Sequence, residues 1–128
     1  MTRRPATTVV LYDRRCRFCR TAARSLAAWD HRRRLGIVPM DHPLGAALME
    51  RVPAPVRGTA LHAVGPDAVG VGPGAVWLVL AHLPGGGALR SLGAHRAYAA
   101  IAGRRGHLGR LLPDVCPVVR PPNRERQP

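Results

Sequence analysis

The alternation of apolar and polar residues changes period along this chain, and the changes mark its elements. Thr8 to Tyr12 is a short β-branched and aromatic run that predicts a strand. Asp13-Arg14-Arg15 ends it. From Cys16 to Asp30 the spacing is helical: Cys19, Ala22, Ala23, Leu26 and Ala27 fall at i, i+3, i+4, i+7 and i+8, a core-facing stripe, with Arg17, Arg20 and Arg24 on the wet side. Asp30-His31 and the Arg32–Arg34 run form a polar connection. Leu35 to Met40, around Ile37-Val38, predicts a second strand. Pro43 suits the first turn of a helix, with Asp41 and His42 as polar caps before it and Pro53 and Pro55 as its stop beyond Arg51.

Thr59 to Val64 predicts a third strand, Gly65-Pro66-Asp67 a turn, and Ala68 to Val71 a fourth strand that closes a hairpin. Gly74 to Leu83 is a short apolar helix that Pro84-Gly85-Gly86-Gly87 breaks. Ala94 to about Leu112 predicts a last helix, weakened by Gly103, Gly106 and Gly109. A helix between two strands implies a parallel pair, and the later hairpin adds an antiparallel one. The expected fold is therefore α/β: a central mixed four-stranded sheet flanked by helices. It would span residues 8–116, between a flexible arm (1–7) and a disordered Pro/Arg-rich tail (117–128).

Composition narrows the class. A chain of 128 residues is one domain, and 46% apolar residues can build a core. With two Trp, two Tyr and one Phe, that core must be Ala, Val and Leu. Three cysteines do not make a secreted disulfide framework and fit a reducing compartment better. The N-terminus has no signal-like apolar region, and the longest apolar stretch, Ala75 to Leu83, contains His82 and is too short to span a bilayer. A soluble, cytoplasmic protein with no membrane partner is expected. The net charge of +13 raises the question of nucleic acid. All the basic residues are Arg, whereas a phosphate-binding surface has no physical reason to exclude Lys. We therefore expect no nucleic-acid partner. A binding module that uses the basic surface for an anionic partner is the alternative.

The chemistry lies in Cys16-Arg17-Phe18-Cys19, which follows a strand and opens a helix. CxxC in that setting reads as a redox motif. The spacing brings two sulfurs within reach of a reversible disulfide. Cys16 sits where unpaired helix N–H groups and the positive end of the dipole stabilise a thiolate, the attacking species. Arg14, Arg15 and Arg17 add positive charge. Cys16 is expected to be exposed, as a nucleophile must be, and Cys19 buried on the stripe, as a resolving thiol should be.

Tyr12-Asp13-Arg14-Arg15-Cys16-Arg17-Phe18-Cys19 resembles the signature of the DCC family of thiol-disulfide oxidoreductases, whose Asp, Cys and Cys stand here as Asp13, Cys16 and Cys19. The likeness continues through Leu61-His62-Ala63-Val64, the helix near Gly74-Ala75-Val76, and Tyr98 to Pro113. It implies a thioredoxin-like fold and dithiol–disulfide exchange without a cofactor. The partners would be a disulfide-containing protein or small thiol/disulfide substrate, and an electron donor that the sequence does not name. Arg14 replaces the family's usual Gly and would be strained if that position needed positive φ. Thioredoxin-like redox enzymes usually carry a cis-proline before the third strand. Here the segment is Gly58-Thr59-Ala60, with Thr59 the candidate for that site.

These residues admit other readings. The CxxC could be half of a zinc site, but no second CxxC and no HxxxH follow it. Asp13 could tune Cys19 or relay a proton, or simply accept hydrogen bonds at the helix N-terminus. Cys116 could resolve an intermediate disulfide or be a small apolar residue near the chain end. The six His form no cluster in sequence, and only His62, on the third strand, is a candidate to approach the CxxC. Trp29 and Trp77 are read as helix-to-sheet packing.

Overall fold

All four residues of Val9–Tyr12 are fully buried. A run of apolar residues, half of them β-branched, with no polar alternation is what a strand covered on both faces requires. In a computed structural model, which describes residues 7–58, 61–102, 104, 110–112 and 114–121, this segment is strand β1. Helix α1 (Arg17–Trp29) returns the chain to β2 (Gly36–Pro39), which lies parallel to β1 with Val9 opposite Gly36 and Leu11 opposite Val38. Helix α2 (Pro43–Met49) follows, with Pro43 in its first turn and the His42 ring accepting from the Leu44 amide as cap. A 3-10 turn (Ala54–Val56) leads to β3 (His62–Val64), antiparallel to β1, and to its hairpin partner β4 (Val69–Val71). The strand order is β2-β1-β3-β4, a mixed four-stranded sheet in an α/β domain.

The pleat divides the core in two. Val10, Tyr12, Ile37 and Ala63 point to one face and pack with Cys19 and Ala23 of α1 and with Ala75 and Val79 of α3 (Pro73–Leu80). Val9, Leu11, Val38 and Val64 point to the other and pack with Leu48 of α2 and with Val52. Helix α3 approaches β4 so closely that a Cβ on Gly70 would lie 2.5 Å from the Gly74 carbonyl oxygen.

The structure corrects three expectations about the helices and the tail. The third helix ends at Leu80, not Leu83, and the glycine run opens a further helix, α4 (Gly86–Ser91). Gly85 takes a left-handed φ of 74° at its start, and a Cβ on Gly86 would meet the Leu80 carbonyl oxygen at 1.8 Å, so the glycines serve a tight α3–α4 corner. The last helix is α5 (Ala94–Ala102). Of its expected continuation to Leu112, residues 103 and 105–109 lie outside the described residues, as do Thr59 and residues 1–6 of the arm. Among the described residues no helix is long and apolar enough to cross a membrane.

The third correction concerns the tail. Residues 117–121, expected to be disordered, are strapped to the open edge of β2. Ile37 and Arg120 exchange two backbone hydrogen bonds of 2.8 and 2.7 Å, and the Tyr12 hydroxyl donates to the Val118 carbonyl. The Arg120 guanidinium reaches the carboxylate of Asp30, which is fully buried at the end of α1 and also accepts from the Arg34 and Leu35 amides at 3.0 and 2.8 Å. An edge strand's unpaired amides and a buried carboxylate both need partners, and one segment supplies both. Residues 122–128 lie outside the described residues.

Removing one member of a buried ion pair is costly. Arg120→Ala should therefore lower the unfolding free energy by about 3 kcal/mol, read by urea denaturation, and truncation after Cys116 should lower it at least as much. Unchanged midpoints in both variants would show that the strap adds nothing to stability.

Candidate functional site

Strand β1 ends at Tyr12, and a turn carries the chain into α1. The Asp13 carboxylate accepts from the Arg15 amide at 2.9 Å, and the Asp13 carbonyl accepts from the Cys16 amide at 3.1 Å. This Asx-type turn sets Cys16 in extended conformation (φ −89°, ψ 116°) as the N-cap residue of α1. The capping acceptor is a sulfur: the Cys19 amide donates to Cys16 Sγ at 3.3 Å. Asp13 thus does not accept from the helix N-terminal amides. It is exposed and organises the turn that delivers Cys16.

The two cysteines have different surroundings. Cys16 is half-buried, less open than the sequence suggested, and packs at the margin of the core. Cys19 is buried among Val10, Tyr12 and Ala23. The third, Cys116, is exposed on the strap, which runs along α1. Arg20, placed by its periodicity on the wet face, instead clamps that segment. Its Nε donates to the Val115 carbonyl at 3.0 Å, its Nη2 pairs with Asp114 at 2.7 Å, and its Nη1 donates to the Arg14 carbonyl just before Cys16. One helical turn on, Arg24 donates to the Cys116 carbonyl at 3.4 Å. Nothing in the local sequence signals this, because the acceptors lie more than ninety residues away.

Arg14 carries no strain. The non-glycine residue with positive φ among the described residues is Arg33 (54°), and Arg14 Nε pairs with Asp41 at 2.9 Å. Arg15 and Arg17 are exposed on either side of Cys16. A cleft of about 230 Å³ opens beside Arg15, lined by Tyr12, Asp13, Arg14, Arg15, Met40 and Asp41. It lies at the carboxyl ends of the parallel strands β1 and β2, where open α/β sheets generally receive ligands.

His62 does not join the site. It stands opposite Leu11 in the β1–β3 ladder and so shares the α2 face, whereas its neighbour Ala63 lies with Cys19 on the other. Its Nε2 accepts from the Gly58 amide at 2.9 Å, while Nδ1 is buried without a partner among the described residues. Burial holds its pKa below the ordinary 6.5. His82, bonded to the Thr8 hydroxyl at 3.0 Å, is lowered for the same reason, with Arg34 adding to it. His82 lines a separate cavity of about 440 Å³ with Thr7, Arg34 and the β3–β4 turn, at the amino end of β1. Trp29 packs inward and donates to the Pro84 carbonyl at 2.9 Å. Trp77 does not bear on the sheet as expected. It is 40% exposed, with the Arg90 guanidinium 3.8 Å above its ring. Among the described residues no three His, Cys, Asp or Glu side chains gather as metal ligands would.

A histidine kept neutral by burial makes stability depend on pH. Below about pH 6.5 the unfolded chain takes up a proton that folded His62 resists, so stability falls as pH drops through that value, until folded His62 itself protonates. The thermal midpoint should therefore fall on acidification from about pH 7.5 to 5.5, and less steeply in His62→Gln, which keeps an acceptor for Gly58. Identical slopes in the two proteins would show that His62 is not held neutral.

Compared with known proteins, the chain matches no protein-family model, no curated protein and no solved structure, so a functional reading must rest on this geometry and on the sequence motif.

Proposed function

We propose that the chain is a thiol-disulfide oxidoreductase of thioredoxin-like fold, with Cys16 as attacking thiol and Cys19 as resolving thiol. The observation that carries this reading is the hydrogen bond from the Cys19 amide to Cys16 Sγ at 3.3 Å. It folds the first sulfur back over the helix turn that bears the second and aims a donor at the atom that must carry negative charge during exchange. The parallel crossover followed by an antiparallel hairpin, with CxxC at the first strand–helix junction, supports the same fold that the DCC resemblance implies.

The chemistry balances without a cofactor. Cys16 thiolate attacks one sulfur of a substrate disulfide; a new S–S bond forms and one substrate thiolate leaves. Cys19, losing its proton, then attacks Cys16 Sγ. The mixed disulfide breaks, the second substrate thiolate leaves, and Cys16–Cys19 remains as a disulfide. Two electrons pass from the protein dithiol to the substrate, and the two protons given up by the cysteines balance those taken up by the released thiols. A dithiol donor run through the same steps in reverse restores the protein. Access fits the order of events: the half-buried sulfur meets the substrate, and the buried one meets only its neighbour. Such a reductase suits a reducing, cytoplasmic setting.

The reading is tested on a Cys116→Ser background. Cys16→Ser should drop exchange to the uncatalysed background. Ser is itself a good N-cap, so the fold should survive the change. Cys19→Ser should accumulate mixed disulfide with substrate, seen on non-reducing gels and as an adduct by mass spectrometry. If neither variant differs from its parent, and oxidation forms no Cys16–Cys19 bond, the proposal fails.

A further inference from the structure

The charges around Cys16 are unevenly neutralised. Arg14 is paired with Asp41 and Arg20 with Asp114. The exposed Asp13 carboxylate accepts from the Arg15 backbone amide, which leaves its negative charge in place and offsets part of the positive charge there. The guanidinium groups of Arg15 and Arg17 are exposed and have no acidic partner among the described residues. Helix α1 has no acidic residue in its first turn, so its positive end is not answered from within. The half-buried sulfur therefore sits at a helix N-terminus, between two exposed arginines in the chain, and Arg15 lines a cleft of about 230 Å³ together with Asp13, Arg14 and Asp41. That volume is below the range of drug-sized pockets and suits one arm of a small molecule.

From this arrangement we infer that the Cys16 site selects small disulfides that carry a carboxylate within a few bonds of the sulfur. The inference rests on the exchange reading above and adds the substrate class to it. Surface charges act over about 10 Å at moderate salt, so exposed arginines next to Cys16 in the chain can bear on such a carboxylate. An approaching anion is favoured at encounter, and the thiolate attack on it is relieved of like-charge repulsion. A cationic disulfide meets the opposite field. Met40 and Tyr12 also line the cleft.

The test is single-turnover exchange of the reduced Cys116→Ser protein with three probes: dianionic 5,5′-dithiobis(2-nitrobenzoate), neutral 2,2′-dithiodipyridine and dicationic cystamine. Each rate is divided by that of a short CxxC peptide, to remove intrinsic reactivity. The anionic-to-neutral ratio should exceed one, the cationic-to-neutral ratio should fall below one, and both should narrow at high salt. In Arg15→Gln/Arg17→Gln the anionic-to-neutral ratio should fall about tenfold. Arg32→Gln/Arg33→Gln, which removes the same charge beyond the far end of α1, should leave it as it was. A ratio unchanged by the first pair, or lowered equally by both pairs, overturns the inference while leaving exchange itself intact. Failure of Cys16 to react even with the neutral probe overturns the exchange reading, and the inference with it.

Discussion

The carboxylate of Asp30 is the constraint on which the rest of the arrangement turns. It is fully buried, so it needs partners for its charge and its lone pairs. It takes them from two parts of the chain: the Arg34 and Leu35 amides that lead into β2, and the Arg120 guanidinium of the C-terminal strap. The same guanidinium reaches the carbonyls of Ala27 and Leu35. The end of α1, the start of β2 and the strap are thus fixed to a single point. The loop between helix and strand accepts a left-handed Arg33 to make the connection, a local strain tolerated because the carboxylate network holds both ends.

That anchoring bears on the site because α1 runs between the two. Its C-terminal end is fixed at Asp30, and its N-terminal turn presents Cys16. The strap follows the helix from one end to the other. Arg20 and Arg24 hold Asp114 to Cys116 near the CxxC, and Arg120 holds its far end at Asp30. Between them the Val118 carbonyl accepts from Tyr12, whose burial pushes its hydroxyl pKa up. Three arginines and a tyrosine, each bonded to strap carbonyls or to carboxylates, convert a proline-rich segment into a structural edge.

At the other end the geometry is local. The Asx turn at Asp13, the extended Cys16 and the sulfur-capped first turn form within eight residues, from Tyr12 to Cys19. Sheet alternation then decides the environment. Cys19 falls on the face that packs with Val10 and Ala63, while His62 is carried to the opposite face. The two histidines lowered by burial lie away from the cysteines, and the charge beside Cys16 comes from arginine.

How much of this was legible in the sequence follows from the range of each interaction. The strands, α1, α2 and the hairpin come from patterns that repeat within a few residues, and the mixed sheet follows from their order. The position of CxxC at the start of α1 was legible for the same reason. What the sequence did not disclose depends on pairings across the chain. Tyr12 and Val118, Arg20 and Val115, and Asp30 and Arg120 are each separated by at least ninety residues. A segment with several prolines and arginines reads as disordered until a strand edge and a buried carboxylate are there to receive it. The glycine run before α4 reads as a break until the close approach of Leu80 requires glycine. The sequence by itself determined the order of elements as far as α3 and the place of the cysteine pair at the start of α1, because both arise from neighbouring residues. Only the tertiary structure decided which face His62 occupies, what Arg20 holds and where residues 114–121 lie, because those depend on which surfaces are left unpaired once the sheet has formed.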